Sequence, residues 1–177
     1  MILACFGDSI TEGYMVPRSS AWPHLVGQIL GIRTLNFGVS GDTTFDGLRR
    51  LPSVLDHDMD ALFLEFGLND FFMGIPLESA RANLESISRA FLERGTRVIL
   101  AGFSFKGQGA DRWHEMYAGL AQGLKIPLYP NIFQAIDGCS DCLLPDGLHP
   151  NEKGYRLMAE DISAFLAENL PGLGQQR

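Results

Sequence analysis

The chain has 177 residues, of which 46% are hydrophobic and 20% are charged, a composition typical of one globular domain. Its 21 acidic and 14 basic residues give a net charge of −7, which argues against a nucleic-acid-binding role. No apolar stretch approaches the length that spans a bilayer, so stable membrane insertion is not expected. Length, composition and charge therefore argue against a nucleic-acid-binding protein and an integral membrane protein, but they do not indicate an activity.

Short apolar segments alternate with longer segments of helical periodicity along the chain. The predicted strands are Ile2–Phe6, Thr34–Phe37, Ala61–Phe66, Arg97–Gly102 and Ile126–Tyr129. The predicted helices are Ser20–Leu30, Thr44–Leu55, Leu77–Arg94, Asp111–Gly123 and Asn151–Asn169. Repeated alternation implies right-handed crossovers and a parallel sheet covered on both faces. The sequence therefore predicts an α/β protein, a three-layer α/β/α domain with a five-stranded parallel sheet.

Polar residues follow each of the first four predicted strands, where open parallel sheets bind their ligands. They are Asp8 and Ser9, then Gly38, Ser40, Gly41 and Asp42, then Gly67, Asn69 and Asp70, then Ser104 and Lys106. The loop before the last helix adds Asp146 and His149. This distribution predicts chemistry at one edge of the sheet.

Ser9 lies where the first strand ends and a helix is expected to begin. It could serve as a helix N-cap or as a nucleophile. A serine hydroxyl becomes an effective nucleophile only when a base removes its proton and a third group orients that base. The choice therefore depends on whether the chain supplies both partners.

His149 is the best candidate for the base. It follows Asp146 by three residues in the segment PDGLHP, so a tight turn can bring Asp146 to one imidazole nitrogen while the other faces Ser9. A D-x-x-H segment before a helix could also be an elaborate cap. The other histidines fall inside predicted helices or in an acidic, exposed segment: His24, His57 and His114.

Acyl transfer also requires hydrogen-bond donors for a developing oxyanion. Gly41 lacks a side chain, so its backbone N–H can approach a substrate closely. Asn69 offers an amide with two N–H donors. The N–H of Ser9 itself, at a helix N-terminus, completes a set of three.

Four segments of the chain, GDSITEGY, GVSGDTT, GLND and DGLHP, resemble the four sequence blocks of the SGNH, or GDSL-type, hydrolase family. The residues for which the family is named correspond to Ser9, Gly41, Asn69 and His149, and Asp146 completes the triad. The segments AWPHL and SGDTTFDGLRRLP are similar to the bacterial branch of arylesterases, acyl-CoA thioesterases and lysophospholipases. The resemblance implies a single SGNH hydrolase domain over residues 1–177 with a flavodoxin-like fold.

The activity implied by the resemblance is hydrolysis of carboxylic esters or thioesters of acyl or aryl substrates. It would proceed through an acyl-enzyme, without a metal or cofactor. The expected partner is a small-molecule ester or thioester, and the oligomeric state is left open. Apolar residues predicted to line the substrate site are Phe71, Phe72, Met73, Ile75, Phe103 and Phe105.

Two alternatives share these features. A carbohydrate O-deacetylase of the same family would use the same residues but would need a small, polar acyl site. A non-catalytic flavodoxin-like ligand-binding domain would share the fold without needing an Asp–His pair opposite a serine.

Cys139 and Cys142 form a C-x-x-C segment shortly before Asp146. A zinc site would need two further ligands at suitable spacing, and a redox pair would normally lie near a strand-to-helix junction. A local disulfide, or two free thiols, that braces the loop before Asp146 is the favoured interpretation.

The first predicted strand begins at Ile2, and no charged and apolar leader precedes it. The sequence as it stands therefore favours the cytoplasm. A chain from which a leader had been removed would look identical, and would be periplasmic or secreted.

Overall fold

The fold is seen in a computed structural model that describes residues 1–104, 110–170 and 172. Its strands are β1 (Ile2–Gly7), β2 (Arg33–Gly38), β3 (Ala61–Glu65), β4 (Arg97–Ala101) and β5 (Leu128–Tyr129). They form one sheet in the order β2-β1-β3-β4-β5, and every pair of neighbouring strands is parallel. This is the flavodoxin-like order, in which ligands bind where the chain switches direction between β1 and β3.

The helices cover both faces of the sheet. They are α1 (Ser9–Glu12), α2 (Trp22–Leu30), α3 (Thr44–Leu55), α4 (Leu68–Met73), α5 (Leu77–Glu93), α6 (Ala110–Leu124) and α7 (Glu152–Asn169). Helix α2 packs against α7, whereas α3 packs against α5 and α5 against α6. Two helical layers therefore enclose the sheet, and the predicted α/β/α architecture is confirmed. The described residues contain no helix with the length and apolar character needed to cross a membrane.

The predicted elements differ from the observed ones mainly at short segments. Helix α4 was not predicted, because six residues between Gly67 and Gly74 are too few to show a helical period. The predicted strand at residues 126–129 is reduced to Leu128–Tyr129 at the edge of the sheet. Tertiary contacts, rather than local pattern, therefore fix these short elements.

The turn after β1 is packed tightly against its neighbours. A Cβ atom at Gly38, the last residue of β2, would lie 2.1 Å from the backbone nitrogen of Glu12. A Cβ atom at Gly7 would lie 2.3 Å from Thr11 Oγ1 and 2.6 Å from Glu65 Oε2. Glycine at both positions lets the short helix α1 lie directly on the ends of β2 and β3, which sets the position of Ser9.

Candidate active site

Ser9, His149 and Asp146 form a continuous hydrogen-bonded row at the carboxyl edge of the sheet. The distance from Ser9 Oγ to His149 Nε2 is 2.9 Å, and the distance from His149 Nδ1 to Asp146 Oδ2 is 2.7 Å. Ser9 is the first residue of α1 and is 7% exposed. The structure therefore brings together three residues that are up to 140 positions apart in the sequence.

The row fixes the tautomer of the histidine. An ionised carboxylate can only accept hydrogen bonds, so Nδ1 of His149 carries the proton that it donates to Asp146. In the neutral imidazole the remaining nitrogen, Nε2, is then an acceptor, and the Ser9 hydroxyl donates to it. This arrangement lets His149 accept the serine proton.

Asp146 is held ionised by local hydrogen bonds. Its Oδ1 accepts from the backbone N–H of Leu148 at 2.9 Å and of His149 at 3.0 Å. The N–H of Leu148, followed by the side chain of His149, lowers the pKa of Asp146 to about 2. Asp146 is therefore charged throughout the pH range in which a histidine titrates.

The loop that carries Asp146 and His149 is closed at its base. Leu144 N–H donates to the carbonyl of His149 at 2.7 Å, and Asn151 N–H donates to the carbonyl of Cys142 at 2.9 Å. Cys142 forms a disulfide with Cys139. The C-x-x-C segment thus braces this loop as predicted, in its oxidised form.

Two backbone N–H groups lie free at the serine side of the site. Within residues 1–104 and 110–170, neither the N–H of Ser9 nor that of Gly41 meets an internal acceptor. Gly41 is exposed and has φ +84°, a conformation that favours glycine. Both groups are therefore available to an oxygen atom outside the protein.

The Asn69 side chain is held near them by two acceptors. Its Nδ2 donates to the carbonyl of Asp42 at 2.9 Å and to Asp8 Oδ2 at 3.3 Å. The first bond ties Asn69 to the loop that carries Gly41. The second is long and places Asn69 next to the residue that precedes Ser9.

The acidic residues beside Gly41 and Asn69 fix the backbone. Asp42 pairs with Arg50 at 2.6 Å, and Arg50 also donates to the carbonyl of Gly7. Asp70 accepts from the N–H and the hydroxyl of Thr44, at 2.9 and 2.6 Å. Each carboxylate therefore secures one of the loops that form the site.

Sequence reasoning missed Tyr14. Its ring lies against the imidazole of His149, with ring centroids 4.4 Å apart. A cavity of about 600 Å³ extends from Tyr14 along β2, and Asn36, Gly38 and Ser40 also line it. Only the three-dimensional arrangement reveals this contact, because no local motif links residues 14 and 149.

The predicted apolar residues differ in their surroundings. Phe72 and Met73, on α4, are 55% and 68% exposed, and Phe71 and Ile75 are half-buried. Phe103 is a core residue that packs against Phe71, so it supports the surface from behind rather than lining it. Phe105 lies outside the described residues.

One group in the described part of the chain has metal-ligating side chains close together: Cys139, Asp141 and Cys142. Because the two sulfur atoms form the disulfide, they cannot act as thiolate ligands. The disulfide therefore supports the favoured interpretation of this segment as a brace for the loop before Asp146.

A serine bonded to a histidine that is itself bonded to an aspartate is the arrangement of serine hydrolases, which recurs on unrelated folds. Because this arrangement lies on a flavodoxin-like sheet, the class narrows to serine hydrolases of that fold.

The chain belongs to the GDSL-like lipase/acylhydrolase family, whose model matches residues 5–157. It is 29% identical over 178 residues to an arylesterase from Vibrio mimicus, covering 95% of this chain and 89% of that protein. It is 28% identical over 165 residues to thioesterase 1/protease 1/lysophospholipase L1 from Escherichia coli (strain K12), covering 89% of this chain and 79% of that protein.

The fold agrees with this assignment. A crystal structure of TesA matches with a TM-score of 0.90 at 26% identity, covering 96% of this chain and 100% of that chain. The predicted family and the predicted class of enzyme, an esterase or thioesterase, are confirmed. The O-deacetylase and the non-catalytic binding domain are not favoured.

Proposed function

We propose that the chain is one hydrolase domain, spanning residues 1–177, that cleaves carboxylic esters or thioesters of acyl or aryl groups with Ser9 as its nucleophile. The observation that carries this proposal is the row Ser9 Oγ–His149 Nε2–Asp146, with contacts of 2.9 and 2.7 Å. The relatives named as an arylesterase and a thioesterase support both kinds of bond as substrates.

The reaction begins when Ser9 Oγ attacks the carbonyl carbon of the substrate and His149 Nε2 takes the hydroxyl proton. The imidazolium that forms is stabilised by Asp146, which stays ionised. As the tetrahedral intermediate collapses, His149 returns the proton to the leaving alcohol or thiol, and an acyl-serine remains. Water then attacks this ester with His149 as base again, and Ser9 is regenerated.

Three donors stabilise the oxyanion of the intermediate in this mechanism: the N–H groups of Ser9 and Gly41 and the amide of Asn69. The two backbone groups are free to bind it. Asn69 can join them by exchanging its 3.3 Å bond to Asp8 for a bond to the charged oxygen, while its 2.9 Å bond to Asp42 keeps the amide in place.

The two sides of Ser9 differ in polarity, and this difference orients the substrate. On the β3 side, α4 exposes Phe72 and Met73, which suit an acyl chain or aryl group. On the β2 side, the cavity beside Tyr14 contains polar groups and adjoins His149, the residue that must protonate the leaving group. We therefore assign the acyl group to the β3 side and the leaving group to the β2 side.

Covalent trapping tests the nucleophile directly. A p-nitrophenyl alkylphosphonate should lose p-nitrophenolate to the wild-type enzyme and leave a stable phosphonyl group on Ser9, because attack at phosphorus resembles the acylation step. Mass spectrometry of the peptide that contains Ser9 should show one adduct. Heat-denatured enzyme is the control and should show none, since the row of contacts is then lost. An adduct on another residue of the native enzyme would contradict the proposal.

The acyl-side assignment makes Phe72 a test of chain length. In Phe72→Ala, kcat/KM for p-nitrophenyl octanoate should fall about fivefold, since an exposed aromatic ring that packs on the chain contributes about 1 kcal/mol. The acetate ester has no acyl chain to pack on the ring, so it should be hydrolysed at nearly the wild-type rate. Ile29→Ala, which removes a similarly exposed side chain from α2, is the matched control. Equal losses for acetate and octanoate would argue against this surface.

A further inference from the structure

Two carboxyl groups lie buried directly beneath Ser9. Asp8 is completely buried and Glu65 is 3% exposed. In the part of the chain that the structure describes, no lysine or arginine forms an ion pair with either group. The nearby cation, Arg50, is bound to the carboxylate of Asp42 and the carbonyl of Gly7. Two buried negative charges without a counterion are strongly unfavourable, so the pair requires another means of neutralisation.

The two carboxyl groups hold the helix that begins with the proposed nucleophile. Glu65 Oε2 accepts from the hydroxyl of Thr11 at 2.8 Å. Asp8 Oδ1 accepts from the N–H of Ile10 at 2.9 Å. Asp8 thereby satisfies an N–H group at the start of α1 that has no partner within the helix, and Glu65 anchors the Thr11 side chain in the same turn.

Asp8 also contacts the proposed oxyanion site, because its Oδ2 accepts the 3.3 Å bond from Asn69. The two carboxyl groups approach each other, because Gly7, which precedes Asp8, lies opposite Glu65 in the sheet and Thr11, three residues after Asp8, donates to Glu65 Oε2. Two carboxyl groups can bond to each other only when one of them carries a proton. Burial, followed by the charge of Glu65, raises the pKa of Asp8 well above its usual range, and burial raises the pKa of Glu65 to about 6.

We propose that Asp8 and Glu65 share one proton, so that one carboxyl group is neutral and the other is charged. This pair positions α1 and the Asn69 amide, and it keeps a second negative charge away from the oxyanion. The inference rests on the proposed function. Both are positioning residues, since neither needs to touch the substrate. The proton resides mainly on Asp8, so the remaining charge lies on Glu65, where the Thr11 hydroxyl stabilises it.

Loss of the shared proton would place a negative charge beside Asn69, where the oxyanion develops. Repulsion between two such charges across a partly desolvated site would lower kcat by about tenfold or more. Other titratable or charged groups that face the pair or the adjacent site are Glu12, Asp42, Arg50, Asp70, Tyr117, His149 and Tyr155. Burial raises the pKa of Tyr117 and of Tyr155, so both phenols stay neutral as the pair titrates.

The pH profile of kcat separates this role from a purely structural one. In the wild type, measured from about pH 5 to about pH 10, kcat should rise as His149 deprotonates and fall again in the alkaline range. Asp8→Asn replaces the protonated carboxyl by an amide of the same shape that can still accept from Ile10 and donate to Glu65, but it gives up the 3.3 Å bond from Asn69, so kcat is compared across pH rather than at one pH. This variant should lose the alkaline fall. Asp58→Asn, in an exposed loop before β3, is the matched control and should keep the wild-type profile.

Two measurements without turnover test the shared proton itself. Infrared spectra at neutral pH should show the C=O band of a neutral carboxylic acid in the wild type and lose it in Asp8→Asn. The native pair keeps a proton that the unfolded chain releases near pH 4, so the pair's contribution to Tm should decrease as pH rises from about 4 through the raised pKa of Asp8. That fall should be shallower in Asp8→Asn than in Asp58→Asn.

Glu65→Gln provides a second variant if Asp8→Asn folds poorly. It removes the negative charge that helps to keep Asp8 protonated, so the alkaline fall should move to lower pH and the infrared band should be lost at a lower pH than in the wild type. An unchanged alkaline fall and an unchanged infrared band in a folded variant would overturn the inference. A Ser9→Ala protein that stayed active would instead overturn the proposed function. The infrared and Tm results would still decide whether the proton is shared, so the two failures are distinguishable.

Discussion

Ser9→Ala is expected to lower kcat for p-nitrophenyl butyrate by about 10⁴-fold or more while leaving Tm nearly unchanged. The hydroxyl is the only atom removed, and it contacts His149 Nε2 rather than the core. Without it no acyl-enzyme can form, and residual hydrolysis would depend on water and the oxyanion donors alone. Initial rates of p-nitrophenolate release, together with a thermal melt of each protein, measure both expectations.

The behaviour of the double variant is equally diagnostic. Ser9→Ala and His149→Ala should each remove nearly all of the activity, and combining them should cost little more, because the two groups act as one unit. Ser86→Ala is the control, since Ser86 is exposed on α5 and its hydroxyl donates to the carbonyl of Ala82 in the same helix. Additive losses, or a Ser9→Ala protein that retains the wild-type rate, would mean that another group carries the reaction.

The strands and the long helices could be predicted because each buries a regular apolar pattern. β1 and β3 are buried along nearly all of their length, and α7 spans one residue fewer than the predicted segment. Helix α4 could not be predicted, since its beginning and end are set by Gly67 and Gly74 in left-handed conformations rather than by a period. This short helix nevertheless carries Asn69 and the exposed Phe72.

The candidate site could be predicted to the extent that its residues follow strand ends. Ser9 and Asn69 follow the ends of β1 and β3, and parallel strands end at the same edge of a sheet, so their proximity was expected, whereas His149 reaches that edge from the loop before α7. Glu65 was missed because it lies inside the predicted strand Ala61–Phe66, where a single acidic residue gives no local signal of a role in the site. Its meaning depends on the register between β1 and β3, which sets Gly7 opposite Glu65 and brings Asp8 within reach.

The contact between Tyr14 and His149 was missed for a similar reason. The two rings meet only because the turn after α1 and the loop before α7 cross the same edge of the sheet. Composition and spacing carry no signal for contacts of this kind. Composition and spacing identify the reactive side chains, whereas the fold determines which other side chains contact them.

Asn69→Ala is expected to lower kcat by about 10²–10³-fold with little change in KM, the usual result of removing one oxyanion donor. The amide meets the charged oxygen only after Ser9 has attacked, so the ground-state complex should form as before. Asn69→Asp should be the more damaging variant, because it places an acceptor with a negative charge where a donor is needed. Steady-state kinetics with p-nitrophenyl butyrate measure kcat and KM for both.

The matched control is Asn169→Ala, in which the amide lost is one that bonds to the carbonyl of Phe165 at the far end of α7. It should leave both kinetic constants at their wild-type values. A rise in KM with unchanged kcat in Asn69→Ala would show that the amide binds the substrate rather than the transition state. A loss of kcat alone would instead assign Asn69 to the oxyanion. The bond from Asn69 to the carbonyl of Asp42 holds the Gly41 loop both before and after the substrate binds, so a loss of activity that arose through that bond would also change KM.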